Sequence, residues 1–232
     1  MGDGDHLTEG LNEQTAAPLH AAMSLDGDRE ALASYYAEWA ATYDADVGGE
    51  DYGLPGSVVF TIDAVAAELP QLASVELPVL DAGCGTGMIG TALAGRGHTA
   101  IDGIDLSPEM TAVAAQLSVD GWPVYRKLDA PVDLTAPLPE RWAASAPIVV
   151  CGGVFTVGHV PPETLRNVVQ LVAPGGLLVT TVRQGYFETT DYGAVSDELV
   201  ASGAVEIVAQ FDALPYTEDS TGRFYAYRVV SR

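Results

Sequence analysis

The sequence predicts an α/β fold, a mostly parallel sheet covered by helices on both faces and closed by an antiparallel hairpin. Two patterns carry that reading. From Pro78 onward, short Val/Ile/Leu runs alternate with helix-forming segments, as strands buried on both faces require. The last two runs, "AVEIVAQFDALPY" and "GRFYAYRVV", have no helical segment between them, so they pair as a hairpin. With 48% hydrophobic residues in a chain of 232, one well-buried domain is expected and a second does not fit.

The elements follow in order. Residues 1–27 are polar, Gly- and Asp-rich and weakly periodic, and are expected to form a flexible extension ahead of a domain spanning 28–232. In "DREALASYYAEWAATYDADV", Asp28 is an N-cap acid, and Leu32, Tyr35, Tyr36, Trp39 and Tyr43 recur at helical spacing. "PGSVVFTIDAVAAEL" predicts a second helix with Pro55 near its start. Together these helices, about 28–70, are expected to form a lid. The alternation then runs "VLDAG" (strand), "TGMIGTALAGRG" (helix), "TAIDGIDLS" (strand), "SPEMTAVAAQL" (helix), "VYRKLDAPVDL" (strand) and "APIVVCGG" (strand). "PETLRNVVQLVAPGG" (helix), "LLVTTVR" (strand) and "YGAVSDELVASG" (helix) lead into the closing hairpin.

Charge and cysteine usage exclude several partners. Ten Lys plus Arg stand against 32 Asp plus Glu, a formal charge of −22. Such a surface repels a phosphate backbone, and no basic run makes a local exception, so nucleic acid is excluded. Cys84 and Cys151 lie far apart without metal-ligand spacing, and neither a signal peptide nor a membrane-length apolar run is present. A cytoplasmic, metal-free monomer or homodimer acting away from membranes is expected. The acid excess fits adaptation to high salt and GC-rich coding bias equally well.

The chemistry concentrates in "VLDAGCGTG". Asp81 ends a strand, and Gly83, Gly85 and Gly87 let the chain turn without Cβ atoms, so a ligand can press on backbone before the next helix. Gly85, Gly87 and Gly90 also satisfy G-x-G-x-x-G, and Asp105 sits where a ribose-binding acid belongs in a dinucleotide site. Asp81 decides between the ligands, because a carboxylate two residues before the first glycine repels a pyrophosphate. S-adenosylmethionine has the matching charge: its α-amino group and sulfonium are cationic, and its ribose offers two hydroxyls to Asp105.

"VLDAGCGTG", "IDGIDLSPEM" and "LVAPGGLLVTTVR" resemble the successive motifs of class I S-adenosylmethionine-dependent methyltransferases, over about Tyr36 to Val230. "YAEWAATYD", "YGLP", "GGVFTVGHVP" and "TTVR" are further similar to small bacterial methyltransferase-domain proteins and to the methyltransferase-like protein of the Williams-Beuren syndrome region. The resemblance implies a Rossmann-like three-layer α/β/α sandwich with a seven-stranded sheet whose last strand is inserted antiparallel.

It also implies a set of site residues. Asp81, Gly83, Cys84 and Gly85 would follow the methionine part of the cofactor, Asp105 the ribose, and Leu106 and Met110 the adenine. The acid facing the adenine amino group is either Asp129 or Asp133 followed by Leu134, with Pro131 blurring the register. Tyr36, Trp39, Tyr43 and Asp44 carry over from aromatics that lie over the cofactor; a tyrosine face suits a sulfonium, though aromatics at helical spacing also build plain core. Cys151 and Gly152 would meet the cofactor through their backbone.

Methyl transfer needs alignment and at most one base. His159, in "VVCGGVFTVGHV", is the candidate base, or else a loop histidine before Pro161. Arg183, Tyr186, Phe187, Tyr216, Arg223 and Tyr225 are candidates for the acceptor pocket, where an arginine among aromatics suits an acidic or aromatic substrate. Neither an N/D-P-P-Y/F tetrad nor a paired-cysteine pattern is present. The expected reaction is therefore methylation of oxygen or nitrogen on a small metabolite. The alternative is a protein that binds the same cofactor for structural, regulatory or other non-methylating chemistry.

Overall fold

The structure is a computed structural model that describes residues 28–47, 52–217 and 220–230. The N-terminal extension expected at 1–27 lies outside the described residues. Helices α1 (Arg29–Trp39), α2 (Tyr43–Val47) and α3 (Leu54–Glu68) precede β1 (Val79–Ala82), α4 (Met88–Gly95), β2 (Ile101–Ile104) and α5 (Pro108–Ala114). A two-residue pair β3 (Ser118–Val119) and β4 (Trp122–Pro123) leads to β5 (Lys127–Asp129) and β6 (Ala146–Phe155). The chain continues through α6 (Thr164–Leu171), β7 (Val172–Arg183), α7 (Gln184–Thr189), α8 (Tyr192–Ala201), β8 (Val205–Thr217) and β9 (Ser220–Val229).

The main sheet has seven strands in the order β5-β2-β1-β6-β7-β9-β8. The five strands from β5 to β7 are parallel, and β9 runs antiparallel between β7 and β8. The expected mostly parallel Rossmann-like sheet with an antiparallel C-terminal strand is therefore observed. The order reverses at β1 and β6, and such a switch point opens a crevice beyond the strands' carboxyl ends.

Alternation along each strand divides the core in two. Val79, Ile148, Val150, Leu177 and Val179 face α3 and α4, whereas Leu80, Val149, Cys151, Leu178 and Val182 face α6 and α8. Helix α3 buries Leu54, Val58, Thr61, Ile62 and Val65, an i, i+3/i+4 stripe that explains why it lies flat on the sheet. The Asp28 carboxylate accepts from Glu30 N and Ala31 N at 3.1 Å each and caps α1.

Three local differences from the sequence reading have physical causes. β5 stops at Asp129, before Pro131, which has no N–H to donate. β7 begins at Val172, so "VAPGG" belongs to a bulged strand; a Cβ on Gly176 would stand 2.5 Å from Pro147 O. The β3–β4 pair turns on Asp120-Gly121, whose φ values of 51° and 82° suit a two-residue hairpin, a signal present in the sequence.

Candidate functional site

The glycine turn leaves β1 toward α4 with Gly83, Gly85 and Gly87 at φ of 77°, 53° and 96°. Gly83 N and Cys84 N both donate to Ile104 O, at 2.8 and 3.1 Å, tying the turn to β2. The glycines differ in what they permit. A Cβ on Gly83 would meet Val154 at 2.4 Å and one on Gly87 would meet Leu117 at 2.5 Å, so these two are required by packing. A Cβ on Gly85 would meet nothing within 4 Å. Gly85 exposes backbone to an open space.

That space is a cavity of about 150 Å³ at the carboxyl ends of the strands. Gly83, Cys84 and Gly85 form its floor, and Asp105, Leu106 and Met110 come from the end of β2 and the start of α5. Asp133 and Leu134 enter after β5, Gly152 from β6, and His159 from the following loop. Tyr36 and Tyr43 close it from α1 and α2.

Asp105 is held in place by the backbone. Its Oδ2 accepts from Gly85 N and its Oδ1 from Ser107 N, both at 2.8 Å. Ser107 caps α5 by accepting from Met110 N at 3.2 Å, which relieves Asp105 of that duty. Burial raises the Asp105 pKa, opposed by the backbone hydrogen bonds from Ser107, Gly85 and Leu106. A carboxylate has room for further donors beyond these two.

Of the two later acids, Asp133 lines the cavity, with its Oδ1 accepting from Thr135 N at 2.8 Å and from the Thr135 hydroxyl at 2.7 Å. Asp129 Oδ2 is instead taken by Arg141, at 2.6 Å, and by Trp142 Nε1, at 2.8 Å.

Asp81 does not line the cavity. It is fully buried under the turn, where the Tyr125 hydroxyl donates to its Oδ2 at 2.7 Å and its Oδ1 has no hydrogen-bond partner. Burial pushes its pKa up to about 7 against the Tyr125 hydrogen bond, and Asp105 adds to the rise. Sequence reasoning missed Tyr125, for which Gly90 is the trace: a Cβ there would stand 2.2 Å from the Tyr125 hydroxyl. The third glycine of the apparent dinucleotide pattern thus makes room for a tyrosine.

His159 sits between α1 and the sheet. Its Nδ1 lies 3.0 Å from Val157 O, which can only accept, so Nδ1 carries the proton and Nε2 accepts from the Tyr36 hydroxyl. The Arg29 guanidinium donates to the His159 carbonyl. Burial, with help from Arg29 and Arg183, lowers the imidazole to about 4, against the Val157 bond, so it is neutral at pH 7. Thr86 Oγ1 donates to Asp44 Oδ1 at 2.5 Å, joining α2 to the glycine turn. Trp39 is buried, its Nε1 donating to Asp46 at 2.8 Å.

The remaining candidates lie outside the cavity. Cys151 is buried in the core. Tyr186 donates to Val160 O at 2.8 Å, Tyr225 stacks on Tyr227, and Arg223 pairs with Asp212 while lying over Phe187. These three sit on the α6/α8 face of the sheet. Arg183 and Tyr216 sit on the α3 face.

Residues 80–178 match a family model described as a methyltransferase domain. The match begins one residue before Asp81 and spans the turn, Asp105, Asp133 and His159. Human methyltransferase-like protein 27 is 29% identical over 149 residues, covering 64% of this chain and 56% of that protein. The chain thus spans little more than half the length of this curated relative. Among solved structures, the [4+2]-cyclase SpnF superposes with a TM-score of 0.64 at 16% identity, over 89% of this chain and 97% of that one. Magnesium protoporphyrin IX methyltransferase from Synechocystis PCC 6803, solved with bound S-adenosylmethionine, gives 0.53 at 22% identity, over 74% and 78%. These two likenesses show that the chain shares their fold. Among the described residues, no helix is long and apolar enough to cross a membrane, and no group of His, Cys, Asp and Glu could hold a metal.

Proposed function

We propose that the cavity binds S-adenosylmethionine and that the protein transfers its methyl group to oxygen or nitrogen of a small molecule. The observation that carries this reading is the pairing of bare backbone at Gly85 with two cavity-facing carboxylates, Asp105 and Asp133, beneath tyrosine faces. That donor set suits a cationic nucleoside carrying hydroxyls and an amino group, and it disfavours a pyrophosphate.

Asp105 would accept from the ribose hydroxyls, Asp133 from the adenine amino group, and Leu106, Met110 and Leu134 would flank the base. Tyr36 and Tyr43 would present ring faces to the positive sulfur. Arg29, which lines the cavity, would meet the carboxylate of the amino-acid part. When bound, the cofactor supplies an electrophilic methyl group on sulfur. The chain's own part is then to hold the acceptor in line, keep water out with α1 and α2 acting as a lid, and fix one hydroxyl, that of Tyr36, on neutral His159 Nε2. An imidazole near 4 is a weak base, so His159 serves chiefly as the acceptor that orients Tyr36.

Calorimetric titration with S-adenosylmethionine and S-adenosylhomocysteine tests the site, and absence of binding by both overturns the proposal. A second reading, cofactor binding without methyl transfer, is favoured by the likeness to a [4+2]-cyclase over nearly the whole chain. Accumulation of S-adenosylhomocysteine with a candidate acceptor present rejects that alternative.

A further inference from the structure

Arg183 ends β7 and is buried, 6% exposed, on the α3 face of the sheet. Most cations among the described residues have an acid partner. Arg96, Arg126, Arg141, Arg166, Arg223 and Arg228 each pair with a carboxylate. Arg183 has neither a side-chain hydrogen bond nor an ion pair among the described residues. A largely buried guanidinium without a carboxylate partner is placed to receive an anion.

An orphan hydroxyl lies beside it. Across the β7–β9 pair, Arg183 is opposite Gly222, and a Cβ on Gly222 would touch the Tyr216 ring at 2.5 Å. The Tyr216 hydroxyl is buried and makes no hydrogen bond of ordinary geometry, although Thr181 is near. Ser57 Oγ donates to Pro215 O at 2.8 Å and so brings the start of α3 to this point. Tyr52, just before α3, and His159 both line the cavity and both feel the Arg183 charge. The guanidinium and the orphan phenol therefore stand just behind the cavity's lining, next to Tyr52 and His159.

Resting on the reading of the cavity as the cofactor site, we propose that Arg183 and the Tyr216 hydroxyl bind the carboxylate of the methyl acceptor, with Tyr52 beside it. The charge count selects the anion. One guanidinium among neutral phenols balances a single negative charge and offers a planar fork matched to a carboxylate, whereas a phosphate monoester would keep an uncompensated second charge. The acceptor class is a small carboxylic acid.

The test uses the full chain saturated with S-adenosylhomocysteine and three probes: benzoate, its neutral isostere benzamide, and inorganic phosphate, each followed by calorimetry. Benzoate is expected to bind at least tenfold more tightly than benzamide or phosphate. Arg183→Met is expected to lose benzoate binding tenfold or more while S-adenosylhomocysteine affinity stays within about twofold. Tyr216→Phe, which removes one oxygen, is expected to weaken benzoate severalfold in a protein of unchanged fold. The proposal is overturned if benzamide or phosphate matches benzoate, if Tyr216→Phe leaves benzoate binding unchanged, or if Arg183→Met weakens the nucleoside as much as benzoate. Failure of the wild-type chain to bind S-adenosylhomocysteine at all would instead sink the cofactor reading.

Discussion

Two tyrosine clusters occupy this molecule, and the fate of their hydroxyls separates them. On the α6/α8 face, Tyr186 and Tyr192 pack on Phe155 with Tyr225 and Tyr227 stacked beside them, and three of their hydroxyls have partners inside the protein: Tyr192 with Thr180 at 2.8 Å, Tyr227 with Ser196 at 2.9 Å, and Tyr186 with Val160 O. At the cavity, Tyr36 is bound to His159, while just behind its lining the Tyr216 hydroxyl is left unmatched beside Arg183. A satisfied cluster is built to be stable, and one left open is built to receive something. The same residue type is therefore core in one place and, on the proposed reading, part of a site in the other.

The sharpest break of this comparison is at Asp105, where charge-assisted bonds to two hydroxyls would be lost together with the anchor of Gly85. Asp105→Ala is expected to weaken S-adenosylhomocysteine binding about 100-fold. An unchanged dissociation constant by calorimetry would remove the ribose role. Tyr125→Phe comes next and acts on stability: Asp81 loses its hydrogen-bond donor in a buried place, at about 2 kcal/mol, or roughly 4–8 °C in the thermal midpoint. A midpoint within 1 °C of wild type, to that order of magnitude, would show that the bond is idle.

Asp81 also sharpens the contrast through pH. Its folded pKa of about 7 lies above the ordinary carboxylate value of 3.8, so the folded chain keeps a proton that the unfolded chain has released between those values. The stability this carboxyl contributes is fully present below the lower value and is lost as pH rises through about 7. A bound cation favours the ionised form, so nucleoside affinity should move the other way, rising severalfold between about pH 6 and 8 with proton release. Calorimetry in buffers of different ionisation enthalpy reads that release. Asp81→Asn should flatten the profile, and a wild-type profile already flat would show that Asp81 does not sense the ligand.

How much of this was legible in the sequence follows the same division. The parallel sheet, the closing hairpin and the cavity loops were readable, because strand alternation and the glycine–acid pattern are local signals. Asp105 could be placed because Ser107, two residues on, supplies the helix cap. What could not be read was which way long-range partners turn a side chain. Asp129 and Asp133 look alike until Arg141 and Trp142 claim the first. Asp81 reads as a fixed charge until Tyr125, 44 residues later, is found beneath the turn. Tyr186, Arg223 and Tyr225 fall on the face opposite Arg183, a consequence of strand parity that an uncertain register hides.

The smallest expected effects bear most directly on the two clusters. Tyr192→Phe strands the Thr180 hydroxyl in the core and is expected to lower the thermal midpoint by roughly 2–4 °C, from about 1 kcal/mol, with nucleoside affinity unchanged. Tyr36→Phe removes a hydroxyl of the same kind, yet His159 lines the cavity, where water can replace the lost donor, so the midpoint should hardly move. The phenyl face stays, and affinity for the cationic nucleoside should change only about twofold to threefold. The altered quantity should be the His159 ring: without the Tyr36 proton on Nε2, its NMR shifts should report an open lone pair while the imidazole still titrates below the ordinary histidine value. If Tyr36→Phe instead costs as much stability as Tyr192→Phe and leaves both affinity and the imidazole signals untouched, the cavity cluster is core after all.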